Sequence, residues 1–242
     1  MGVQERRARE KEELRQEIVD AARDLFVQEG FDNVSMRKIA EKIEYSPTTI
    51  YLYFHDKADL LDYIVEETLL KLRHRLVSLR HGIDPLMDLK AGLRAYIEFW
   101  TKHPNDFRVA FTTDLRALDP NRAWRCWAVG ATIYESLQSG LVECRDAGIL
   151  RIEDLELASQ AVWASLYGLV SLFIMKPTFP WVDQDRLIDR VVNSAVDSMV
   201  IAGAPTRVSR RHAVKGITSA ANRSISSNCG LHCKRSSPTP AF

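Results

Sequence analysis

The sequence predicts an all-α fold, with an N-terminal three-helix unit followed by a helical body of about six more helices. Three observations carry this. Apolar residues recur at three- and four-residue spacing along nearly the whole chain, and no segment alternates as a half-buried strand does. Pro47, Pro85 and Pro120 each follow a capping residue, Ser46, Asp84 and Asp119, as at a first helical turn. Gly30, Gly82, Gly148 and Gly203 fall just past apolar-periodic runs, where helices end in a left-handed residue.

Taken in order, the first helix is expected over about 10–29, with Ile18, Ala21, Ala22, Leu25 and Phe26 as its apolar face. The acid–base alternation before it, Glu5 to Glu13, reads as a solvated helix start with i, i+4 pairs. The second helix, about 35–43, turns Ile39, Ala40 and Ile43 inward. The third, about 47–54, does so with Ile50 and Phe54. A fourth covers about 57–80, a fifth 85–102, a short sixth 104–111 and a seventh about 120–147. The eighth, about 153–176, has no charge from Leu157 to Met175, and its small residues Ala161, Ala164, Ser165, Gly168 and Ser171 let another helix approach. Polar interruptions such as Ser159, Gln160 and Tyr167 make it a buried or interface helix rather than a membrane span, and no membrane is expected. The ninth, about 183–202, carries Leu187, Ile188, Val191, Val192, Ala195, Val196 and Met199, a stripe wide enough to need two neighbours.

Residues 204–242 carry seven Lys or Arg and no Asp or Glu, so this part is +7 and the rest −6, within a total of +1. Ser, Thr, Arg and Pro dominate it, and a disordered basic tail is expected. The near-zero total means that any affinity for nucleic acid must come from local placement of cations. The expected division is 1–57, 58–203 and 204–242. Four cysteines in 242 residues suggest no disulfide framework and a reducing compartment. The first residues lack the apolar core of a signal peptide, so a cytoplasmic protein is expected. Cys229, His232 and Cys233 have no second cluster to complete a metal site, and no metal or cofactor is expected. No phosphate-cradling glycine loop, zinc-binding helix or nucleophile elbow is present, which argues against an enzyme.

The informative window is 35–54. Two short helices separated by three residues must cross steeply, which is helix-turn-helix geometry. Neither is long enough to be stable alone, so the first helix supplies their core. Ser35 and Ser46 can cap the pair. Pro47, Thr48, Thr49 and Leu52 are free to face outward, and small hydroxyls and methyls suit base edges in a major groove. Tyr51 and Tyr53 can reach phosphate oxygens, and Met36, Arg37 and Lys38 lie at the start of the preceding helix. Asp56 caps the fourth helix, whose N-terminus and Lys57 together make a phosphate anchor.

The residues Ala21-Ala22-Arg23-Asp24-Leu25-Phe26, Gly30-Phe31, Ser35-Met36-Arg37-Lys38-Ile39-Ala40 and Thr49-Ile50-Tyr51-Leu52-Tyr53-Phe54, with Lys57 through Leu61, resemble the N-terminal domain of the tetracycline-repressor (TetR) family. The likeness covers about fifty residues and includes the Tyr-x-Tyr-Phe and Lys-x-x-Leu-Leu elements. Glu44 stands in the turn where the family often has Gly. Trp163 to Leu172 is similar to the Trp-x-x-x-His-Gly signature of one C-terminal subgroup, with Tyr167 in place of His.

The resemblance implies a regulator, by family default a repressor, that binds double-stranded operator DNA as a homodimer and is released by a small-molecule effector. The dimer is expected through the helices at about 153–176 and 183–202, as a two-fold four-helix contact. Aromatics at helical spacing can be plain core. With the family likeness, Tyr96, Trp100, Trp127, Trp163 and Tyr167 become candidate lining of a cavity for an apolar or aromatic ligand. The alternative is a constitutive DNA-binding or adaptor dimer that senses nothing.

Overall fold

The predicted caps Ser35, Ser46, Asp56 and Asp84 sit where the chain needs an acceptor for free N–H groups, and Asp119, also expected as a cap, lies outside the described residues. The computed structural model describes residues 2–79, 84–112 and 120–203, without the side chains of 112 and 120–127, and holds nine α-helices within them. These are α1 (Val3–Glu29), α2 (Met36–Lys42), α3 (Pro47–Tyr51), α4 (Lys57–Val77), α5 (Pro85–Lys102), α6 (Pro104–Thr112), α7 (Pro120–Asp146), α8 (Leu155–Met175) and α9 (Gln184–Asp197). Ser35, Ser46, Asp56, Asp84, Asp154 and Asp183 accept from first-turn N–H groups at the starts of α2, α3, α4, α5, α8 and α9. The expected all-α class holds. The expected tail from 204 and the Trp127 side chain lie outside the described residues.

Helix α4 ends at Val77, short of the expected 80, and three further boundaries differ from expectation, each for a local reason. Helix α1 starts seven residues early. The Gly2 N–H donates to Glu5 at 2.9 Å, and Arg6–Glu10 and Arg9–Glu13 pair across successive turns. Helix α3 stops at Tyr51, because the chain turns there to bring Phe54 into the core. Helix α9 stops at Asp197, where the backbone pairs with the α7–α8 connection instead. The Arg151 N–H donates to the Met199 carbonyl at 2.8 Å, and the Ile201 N–H to the Ile149 carbonyl at 3.0 Å.

The described residues fall in one compact unit, and one apolar cluster runs from Ile18 on α1 to Val196 on α9. Beneath α2 and α3, the core is Ile18, Ala22, Phe26, Ile39, Ile50, Phe54, Leu60 and Leu61. Lys38 bonds Glu29 and Lys42 bonds Asp24, at 3.1 Å for the second pair, which pins α2 along α1. Farther along, α8 lies on α5, α7 and α9. Arg94 of α5 pairs with Asp185 and Asp189 of α9, and Lys90 with Asp197 at 3.0 Å. By length and composition α8 is apolar enough to cross a membrane, and it buries only one side here.

Candidate functional site

Two places combine exposed or enclosed groups in ways the core does not need. The first is the surface of α2, α3 and the turn between them. That turn closes with the Tyr45 N–H donating to the Ala40 carbonyl at 3.0 Å, and Glu44 takes the left-handed conformation at φ 59°. Ser46 both caps α3 and meets the Thr49 hydroxyl at 2.8 Å. Ile50 and Phe54 point inward, so Ser46, Pro47, Thr48, Tyr51 and Leu52 stand exposed, with Thr49 and Tyr53 half-buried. Leu52 is 76% exposed, which no packing requirement explains. No acidic residue occurs between Tyr45 and His55.

The cations around this surface are largely engaged within the protein. Arg37 bonds Glu41 at 2.8 Å, and Lys38 bonds Glu29. The Lys57 ammonium donates to the Phe31 and Asp32 carbonyls at 2.9 and 3.2 Å and lies 4.4 Å above the Phe31 ring. Lys57 therefore ties the turn after α1 to the start of α4, a role its sequence neighbours did not reveal. Met36, grouped with the surface set on sequence, is a correction: it is buried, because the first turn of α2 rolls that side chain into the core beside Ile39.

The second place is a cavity of about 820 Å³ between α4, α5, α6, α7 and α8. Its walls include Val65, Leu69 and Leu72 of α4, and Leu89, Tyr96 and Trp100 of α5. Phe111 of α6, Tyr134 of α7 and Trp163 of α8 complete its aromatic part. Of the expected lining residues, Tyr96, Trp100 and Trp163 border this space, and the Trp163 indole N–H donates to the Tyr96 hydroxyl at 3.2 Å. Tyr167 is a correction. It does not line the cavity but packs behind the wall against Phe107, Phe111 and Trp163, with ring centroids 5.5, 5.3 and 6.1 Å away. One turn beyond Trp163, its ring falls over α6 instead.

Burial pushes the Tyr96 hydroxyl up to about 12, with the Trp163 and Trp100 indoles pulling the other way. Trp100 is wholly buried and its N–H lacks an aligned partner. Sequence reasoning missed the α4 and α6 walls and the polar lining groups, Asp88, Glu143, Glu156 and Gln160 among them. The aromatic clustering was a legible signal. The carboxylates, scattered over three helices, were not.

Two family models match the chain: residues 18–64 match the bacterial regulatory proteins of the tetR family, and residues 89–199 the tetracyclin repressor-like C-terminal domain. The chain belongs to the TetR family. The N-terminal match covers α2, α3 and the helices that support them, and the C-terminal match covers most of the cavity wall. An uncharacterized HTH-type transcriptional regulator of Haemophilus influenzae is 33% identical over 105 residues, which are 43% of this chain and 51% of that one. The match thus spans about half the length of that curated relative. Among solved structures, the regulator FadR of Bacillus subtilis in complex with stearoyl-CoA aligns with TM-score 0.64 at 19% identity, over 76% of this chain and 98% of that one. SmeT in complex with triclosan aligns with TM-score 0.66 at 20% identity, over 81% and 95%. These likenesses establish the TetR fold.

Proposed function

We propose that this TetR-family chain is a cytoplasmic transcriptional repressor, a homodimer that binds operator DNA and is released by a small apolar or aromatic ligand. The observation that carries the reading is the double duty of α4. Its N-terminal turns, with Leu60 and Leu61, underlie α3, and Tyr63 meets Phe54 edge-on at 5.5 Å. Its later turns, with Val65, Leu69, Leu72 and Leu76, wall the cavity. A ligand that shifts α4 must therefore move the surface that would read DNA.

In this reading 1–57 is the DNA-binding part and 58–203 the sensing and dimerising part, with 204–242 as a basic tail. Pro47, Thr48, Thr49 and Leu52 face base edges, while Ser35, Ser46, Tyr51 and Tyr53 approach the backbone. Arg37, Lys38 and Lys57 contact phosphate after exchanging an internal partner, while Met36 only supports α2. In the ligand site Tyr96, Trp100 and Trp163 line the cavity and Tyr167 backs it. Trp163 and Gly168 keep two positions of the Trp-x-x-x-His-Gly subgroup pattern.

The dimer uses α8 and α9, and on the open side of α8 Leu157, Ala161, Ala164, Leu172 and Met175 are exposed on a stretch without charge. Two such faces related by a two-fold axis form an isologous contact. The recognition helices then sit about 34–36 Å apart, one turn of B-DNA. FadR and SmeT were each solved with a ligand that has a large apolar part, which fits the cavity's character.

The test is a binding-site selection with the full chain, then release of the selected duplex by apolar and aromatic compounds. A two-fold symmetric site released by at least one compound is expected. A selected site that no cavity-binding compound releases would leave a constitutive DNA-binding dimer. Thr49→Ala should relax the selected motif, at about 1–3 kcal/mol of discrimination, more than it weakens binding to random duplex. An identical motif would remove Thr49 from base readout.

A further inference from the structure

Among the described residues that line the cavity, every charged side chain is acidic. No Lys, Arg or His is among its described lining residues, whereas Asp88, Glu143 and Glu156 are. Glu156 is the best defined. Its carboxylate accepts from the Tyr134 hydroxyl at 3.0 Å and from the Gln138 and Gln160 amides at 2.8 Å each. All three donors are neutral, so the carboxylate is oriented but not neutralised.

Beside Glu156 stand aromatic faces. The Tyr134 and Trp163 rings meet edge-on with centroids 6.2 Å apart, and both border the cavity with Glu156. Tyr96 and Trp100 continue the aromatic wall inward, with centroids 6.3 Å apart. Glu156 and Trp163 are exposed, so this group stands at the mouth of the cavity, where rings offer their negative faces to a cation that need not shed all its water. A carboxylate that neutral donors hold among indole and phenol rings selects positive charge. An anionic ligand would bring like charge toward Glu156 and find no cation among these described side chains. The Leu and Val wall of α4, in turn, requires a long apolar portion.

We infer that the effector is a cationic amphiphile, an alkyl or aryl ammonium whose head lies between Glu156, Tyr134 and Trp163 and whose apolar part fills the cavity between α4 and α5. This rests on the ligand-responsive reading above. It narrows that reading from an apolar ligand of any charge to one class.

Calorimetric titration of the full-length protein with three probes of equal chain length tests it: decyltrimethylammonium, decan-1-ol and decanoate, below their aggregation concentrations. The ammonium is expected to bind about tenfold more tightly than the alcohol, with decanoate weakest. Glu156→Gln, which preserves size and keeps one oxygen to accept from Tyr134 and Gln160 while the Gln138 amide turns its oxygen to the new NH2, should remove most of that preference and leave the alcohol unchanged. Decanoate or decanol binding as tightly as the ammonium would overturn the charge selection and leave the apolar pocket standing. Binding by none of the three would overturn the pocket reading and this inference with it. A preference for the ammonium that survives Glu156→Gln would overturn the assignment to this carboxylate.

Discussion

Glu44 occupies a backbone conformation that costs a residue with a Cβ about 1 kcal/mol or more, at φ 59° in the turn between α2 and α3. Glu44→Gly should therefore raise stability by about 0.5–1 kcal/mol after the greater freedom of unfolded glycine is subtracted, seen as a higher urea midpoint at unchanged slope. A lower midpoint would mean that the Glu44 side chain contributes more than its backbone costs. Tyr96 gives a prediction in pH. Its hydroxyl rises from 10.0 to about 12 on burial, so the folded chain holds that proton more tightly than the unfolded one. Its contribution to stability is full below pH 10 and fades as the pH climbs toward 12. Cys144, raised from 9.0 to about 12 chiefly by burial, acts with the same sign. Tyr96→Phe should lose stability less steeply across this range in denaturant titrations at stepped pH. An equal slope would place the alkaline loss elsewhere. At this scale the sequence was legible wherever a residue acts on its own backbone neighbours, as the Ser35 and Ser46 caps do. It was not legible for Lys57, whose partners Phe31 and Asp32 are reached only after the chain has folded back, nor for Met36, whose fate depends on how α2 rolls against α1.

Helix α8 is apolar on more sides than one protomer can cover. Val162, Leu166, Leu169, Val170 and Phe173 enter the core, while Leu157, Ala161, Ala164, Leu172 and Met175 stay exposed on another side. Leu172→Glu leaves the buried side and the cavity lining untouched and sets a charge on the exposed one. It should turn the proposed dimer into a monomer, read by sedimentation velocity, while the helical circular dichroism stays unchanged. A wild-type chain that sediments as a monomer at micromolar concentration would sink the dimer itself. The pattern of α8 was visible in the sequence, since a charge-free run with small residues at helical spacing needs no partner coordinates to be noticed. The start of α1 was harder. Its first turns have no apolar face, and only the sum of weak pairs such as Arg6–Glu10 and Arg9–Glu13 extends the helix.

Across the molecule, Arg23 is the polar tie between α1 and the helices that follow α3. It reaches from α1 to Asp106 of α6, and its guanidinium also meets Asp20 and, at 3.5 Å, Glu67 of α4. Thr68 donates its hydroxyl to the same Asp106 at 3.2 Å. Arg23→Ala would take its cation from the largely buried Asp106, while Glu67 keeps Lys71 at 2.9 Å, and should cost about 1–3 kcal/mol in chemical denaturation, discounted for the exposure that remains. A change below a few tenths would show that water replaces the cation. Such a tie could not be read from sequence spacing, because its members are spread from Asp20 to Asp106 over three helices. The same holds for the cavity, whose walls come from five.

The core beneath α3 has a further consequence for anyone recombining this chain with a relative. Ile18, Phe26, Ile50 and Phe54 rest on Leu60, Leu61 and Ile64, which belong to α4. A chimera joined at residue 57 would import a head without its floor. Moving the crossover past Leu72 supplies the floor, but it also transplants Val65, Leu69 and Leu72, part of the cavity wall. Operator preference and ligand preference should therefore travel as one inheritance, and hybrids that acquire a donor's DNA site should acquire part of the donor's chemical taste.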